Sequence, residues 1–183
     1  MKTSKRFTHT IKALTLFSGL SCAAANAGTL IGTTGSATGI DGLVIEGVVY
    51  DITFSLSSQS YEDVFGTETP VFLGDEAGAN AARDAIRDFL SAEGVTRVTN
   101  ISTAANSFVH VPYLVTSTDV TRASAFNSLP GSDNWVDGPV TVLSRTIQNS
   151  NVSWATFTVV PEPSSLALLG VGGLLVARRR VGD

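Results

Sequence analysis

The chain has 183 residues, enough for one domain of ordinary size plus terminal segments. Its charge is unevenly placed: every lysine lies within the first 12 residues, whereas residues 28–160 carry five arginines against fourteen Asp and Glu, a net charge of −9. That balance excludes nucleic acid as a natural partner, because phosphates need cationic contacts, and suits a soluble extracellular domain.

The N-terminus is ordered as a secretory leader. Lys2, Lys5, Arg6 and Lys12 form a basic start, Ala13 to Ala24 an apolar run, and Ala25-Asn26-Ala27 a small-residue cleavage site before Gly28. Residues 1–27 are therefore expected to be a signal helix, handled by the Sec translocon and signal peptidase, with Gly28 as the first mature residue. Cys22, the one cysteine, falls inside it. Gly19-Leu20-Ser21 before that cysteine sets the leucine one place too late for a lipoprotein signal. The exported part then has neither thiol nor disulfide and must be held by its core.

Residues 28–159 are expected to form one exported α+β domain, a mostly antiparallel sheet with one helix packed on a face. Gly28 to Gly39, rich in glycine and small hydroxyl residues, suits a lead-in or an edge strand. In Ile40 to Leu56, β-branched and aromatic residues flank Glu46-Gly47, which predicts two strands joined by a tight turn with Gly47 at positive φ. Val48, Tyr50, Ile52 and Phe54 then share the apolar face. A polar loop follows at Ser57 to Ser60, and a short strand is expected near Val71 to Leu73.

Ala82, Ile86, Phe89 and Leu90 recur at helical spacing, predicting a helix over about 75–93, capped by Asp75 and ended by Gly94. Arg83, Asp84, Arg87 and Asp88 fall on its other face, where solvated intrahelical pairs are expected. Further strands are predicted at Val95 to Val98, Ser107 to Thr116, Pro139 to Thr146 and Val152 to Val160. Pro112, which lacks a donor, should lie at an edge or break its strand.

Chemistry-bearing residues are few in this domain. His110 is its only histidine, in a strand-like SFVHVPYL, where a partly exposed structural role is the expectation. No second histidine or cysteine completes a zinc site, no serine sits in a G-x-S-x-G elbow, and no pair of acids is singled out for glycoside hydrolysis. Asp133 to Gly138 fails as a calcium loop, because Trp135 stands where an oxygen ligand is needed and Ser144 where the closing glutamate is needed. It reads instead as a polar turn carrying a tryptophan. Asn100-Ile101-Ser102 and Asn151-Val152-Ser153 match the glycosylation acceptor pattern without implying a role. No cofactor, metal site or enzymatic activity is expected.

The C-terminal stretch VVPEPSSLALLGVGGLLVARRRVGD has three parts. Pro161-Glu162-Pro163 breaks the strand, since both prolines fix φ and lack donors. Residues 164–177 predict an apolar transmembrane helix. Fourteen residues give roughly 21 Å against a hydrocarbon core of about 30 Å, a marginal span. Arg178, Arg179 and Arg180 close it as a stop-transfer cluster and, by the positive-inside rule, put the domain outside.

This order of features resembles the PEP-CTERM sorting signal of Gram-negative bacteria. The resemblance covers 160–183. It implies Val160, Pro161, Glu162 and Pro163 as the recognition motif, exosortase as the processing partner, and transient residence in the inner membrane. It also implies a destination at the cell surface or outside the cell, in association with exopolysaccharide and biofilm. Two departures are the short apolar helix and the Val181-Gly182-Asp183 that follows the arginines. The segment Gly47 to Phe54 is similar to a G-V-x-Y-D-V-T-F-like strand of some such proteins, to which no activity is attached.

The expectation is a surface or matrix protein with a structural role. The alternatives are a carbohydrate-binding module stacking sugars on Trp135, Tyr113 or Tyr61, and a hydrolase acting on matrix glycans.

Overall fold

The computed structural model describes residues 28–99, 101, 106–127, 129 and 131–161. The signal helix with Ala25 and Ala27, the sequon at Asn100, and Glu162 to Asp183 with the expected transmembrane helix lie outside those residues. The elements run β1 (Thr29–Thr33), β2 (Ser36–Ile45), β3 (Val48–Phe54), α1 (Tyr61–Phe65), α2 (Glu76–Ala92), β4 (Ser107–Val115), β5 (Asp119–Asn127), β6 (Trp135–Asp137), β7 (Thr141–Ser144) and β8 (Val152–Val159).

The predicted β2–β3 hairpin forms as its sequence dictates. Glu46 (φ 48°) and Gly47 (φ 85°) are both left-handed, the conformation that matches the twist of a two-residue hairpin. Alternation then buries Tyr50, Ile52 and Phe54, while Val48 at the strand's start stays partly exposed. Gly28 to Gly39 resolves into the edge strand β1 and the beginning of β2.

The strands join in the order β1-β2-β3-β8-β4-β5-β6, with β7 also on β5. Every pairing is antiparallel except β4 with β8. The last strand is thus central and serves two partners in turn. Its first residues, Val152 to Trp154, run parallel to Phe108–His110, and Ala155 to Val159 then pair with β3. Beyond Trp154, β8 and β4 part. Pro112 sits on the side of β4 left free by that parting, beside a bulge between Pro112 and Leu114, so its missing donor costs nothing.

The parting is filled by the 66–74 loop, which corrects the expected strand at Val71 to Leu73. Pro70 accepts the Leu73 N–H at 3.1 Å to make a turn, and Gly74 N–H bonds Tyr113 O at 2.6 Å. Phe72 alone turns inward, edge-on to Phe157 at 5.0 Å and tilted on Tyr50 at 6.0 Å, with Val71 and Leu73 exposed. A strand at Val95 to Val98 is likewise not formed: a single bridge links Val98 to Ala37, and Thr99 at φ 38° turns the chain away. The strand expected at Pro139 to Thr146 narrows to β7.

α2 matches its prediction. Asp75 accepts the Gly78 N–H at 2.9 Å, Gly94 takes φ 65° beyond the last turn, and Ala82, Ile86, Phe89 and Leu90 are buried on the sheet. Full burial of Ile86, Phe89 and Leu90 stabilises the domain by about 1.5–3 kcal/mol each. A second, short helix was not expected. In α1 Ser60 and Asp63 form a reciprocal capping box, seating Tyr61 and Phe65 against Trp154 on the sheet's other face. β4 and β5 are therefore covered on both faces, with Val109, Val111, Ala123 and Ala125 toward α2 and Val120 toward α1.

Candidate functional site

The C-terminal motif leaves the sheet without a linker. Tyr50 stands opposite Val159, and Val160 N–H donates to Val49 O at 2.9 Å, so the first residue of the expected recognition motif is still hydrogen-bonded to β3. Pro161 follows, exposed. The N-terminal junction lies at the same end. Thr29 pairs with Asp41, and two residues further on Leu43 pairs with Tyr50, which in turn faces Val159. Three strand spacings, about 14 Å, separate the two exits. Gly28 is itself packed there: a Cβ on it would stand 2.8 Å from Ile40 Cγ2 and 3.0 Å from Phe89 Cε2. Both Gly28 and Val160 are thus held by the folded sheet.

His110 is buried rather than partly exposed. Register places it opposite Ser124, and its Nδ1 lies 2.9 Å from Ser124 Oγ, while its Nε2 has no partner among the described residues. Burial holds the imidazole well below its ordinary pKa, and the nearby Arg122 charge pushes the same way. Arg122 is buried too. Its Nη1 donates to Thr141 O at 2.7 Å, and burial lowers its pKa to about 10. This pair has the atoms of a Ser–His couple but neither access nor an orienting carboxylate. Ser124 is 1% exposed, and the charged neighbour of His110 is a cation, which disfavours the imidazolium that general-base action would form.

Asp137 engages the helix face that was expected to be merely solvated. It lies 3.6 Å from Arg83 Nε and pairs directly with Arg87 Nη1, while Asp84 and Asp88 hold the same two guanidinium groups from within α2. The pairs are sequential, i,i+3 and long-range. Arg97 donates to Gly35 O at 2.9 Å, and Arg145 lies 5.5 Å over the Tyr61 ring and 3.4 Å from Glu62 Oε1. All five arginines of the domain are engaged by its own groups.

The aromatic rings considered for sugar stacking are in the core. Trp135 is 3% exposed, Tyr61 3% and Tyr113 8%. Trp135, expected in a polar turn, instead lies in β6, and its indole Nε1 donates to Val95 O at 2.6 Å. The cleft where β4 and β8 part, lined by Phe65, Pro70, Phe72, Pro112 and Phe157, encloses about 70 Å³. That is room for about two waters, not a saccharide.

Sequence reasoning found the motif because its signal is local, residue by residue. It missed the His110–Ser124 pair because only the β4–β5 register brings the two together.

Among the described residues no helix is long and apolar enough to cross a membrane. No curated protein and no solved structure matches the chain. The family model of the PEP-CTERM protein-sorting motif matches residues 159–181, so the chain is a PEP-CTERM motif-bearing protein, and that motif implies exosortase-dependent export to the cell surface.

Proposed function

We propose that the domain from Gly28 to Val160 is a non-enzymatic structural component of the extracellular matrix, delivered by Sec-dependent export and exosortase processing and associated with exopolysaccharide. The sorting motif joined directly to the last strand carries this reading, because it gives the domain a membrane-bound stage and then an extracellular one. The chemistry of the domain supports a structural role. Its one histidine is buried beside a cation, its arginines are engaged internally, and its large rings form the core.

The test is cell fractionation of a host that has the processing machinery. Wild type should be recovered outside the cell as a chain shortened at both ends. A variant with Ala at Pro161, Glu162 and Pro163 should stay full-length at its C-terminus in the inner membrane. Equal release of the two would refute the sorting reading, and the mass of the mature protein would fix both ends.

A further inference from the structure

The sorting motif and the fold share a residue. Val160 begins the motif, and its N–H is bonded to Val49 O. A peptidase or transpeptidase reads its substrate as an extended chain whose backbone groups are free to bond the enzyme, as in strand addition generally. Val160 cannot offer its N–H to an enzyme and to Val49 at once. Val159 stands opposite Tyr50 in the last register pair of β8, a pair that exchanges no backbone bonds of its own and is held by the bonds on either side of it.

This end of β8 is built to yield. From Ala155 onward the strand pairs with β3 on one side and has parted from β4 on the other. Burial falls along it, from Val152 to Ala155 in the core, through half-buried Thr156 and Phe157, to exposed Thr158 and Val159, the last at 52%. Opening the final pair therefore exposes little new apolar surface, whereas opening the strand from Trp154 would dismantle the core. Low-stability opening of this kind is how folded proteins present sites to enzymes.

We propose that the form of this protein recognised by the membrane processing enzyme is the folded domain with the end of β8, Val159 and Val160, unpaired from β3. The Val160–Val49 bond acts as a gate on processing. This rests on the exosortase reading above and adds a claim about the substrate's conformation. With the gate closed, Val160, the first residue of the motif, is held on the sheet. With it open, Thr158 is the last paired residue and the motif begins two strand rises, about 7 Å, beyond it.

The experiment uses the full-length chain in a processing-competent host, with pulse-chase measurement of C-terminal cleavage. Tyr50→Cys with Val159→Cys places two thiols on directly opposed residues across antiparallel strands, within disulfide reach. The exported part has no other cysteine, so the crosslink is unambiguous. The locked chain should be cleaved at least tenfold more slowly, and reductant should restore the rate. A second variant inserts eight Gly/Ser residues between Val159 and Val160, freeing the motif from the sheet. It should be cleaved faster than wild type, and in the locked background it should restore cleavage without reductant.

That rescue separates a closed gate from a misfolded domain, which a linker would not repair. Equal cleavage rates for wild type and the locked chain would overturn the gate, and would show the motif is read before β8 pairs or without unpairing. Failure of wild type itself to be cleaved would instead count against the sorting reading.

Discussion

His110 and Ser124 face one another across β4 and β5, imidazole Nδ1 2.9 Å from hydroxyl Oγ, both 1% exposed, with the Arg122 charge acting on the imidazole. The imidazole is neutral in the folded state because burial and that cation both oppose its protonation. Its folded pKa lies below the unfolded value of about 6.5, so the unfolded chain binds a proton that the folded chain refuses. Stability from this site is complete above about pH 6.5. It falls as pH drops below that value, by about 1.4 kcal/mol per pH unit until the folded pKa is reached. Denaturant melts from pH 7.5 to 5 should show this slope in wild type and lose it in His110→Gln, a result that a solvent-exposed histidine would not give.

Glu46 holds φ 48° in the β2–β3 turn, a conformation that costs an ordinary residue about 1–2 kcal/mol. Asn is tolerated there and, before Gly47, makes the preferred hairpin pair. Glu46→Asn should stabilise the domain by about 0.5–1 kcal/mol, read as a higher midpoint in thermal or chemical melts. An unchanged or lower midpoint would show that the turn does not carry this strain.

Trp135 fastens β6 to the loop after α2 through its bond to Val95 O. Trp135→Phe leaves that buried carbonyl without its indole partner and should cost about 1–3 kcal/mol. Trp154 is also buried, so both tryptophans should emit as core residues and ignore added saccharide. A saccharide-dependent emission shift would revive the stacking alternative.

Asp137 draws Arg83 and Arg87 toward β6, but its side chain is 53% exposed and Asp84 and Asp88 hold the same groups. Asp137→Asn should therefore change stability by less than about 1 kcal/mol, and less still in high salt. A larger loss would mean that the cluster fastens α2 to the sheet edge rather than decorating it.

Reading the chain alone worked wherever the signal was local. α2 was legible from the spacing of Ala82, Ile86, Phe89 and Leu90 with Asp75 and Gly94 at its ends, and the hairpin from its alternation around Glu46-Gly47. α1 was missed although Ser60 and Asp63 spell a capping box, because five residues are too few for a periodic pattern. Val71-Phe72-Leu73 has strand-forming residues and alone predicts a strand; the need for one ring where β4 and β8 part overrides that preference.

The sequence by itself determined the C-terminal sorting motif: a Pro-Glu-Pro break, an apolar run and three arginines within residues 159–181. Such a signal is carried by contiguous residues and so depends on neighbours in sequence. Only the tertiary structure decided that the last strand is central, that His110 meets Ser124, that Trp135 is core, and that Val160 belongs to sheet and motif together. Those facts depend on strand order and register, which arise from contacts between residues far apart in the chain.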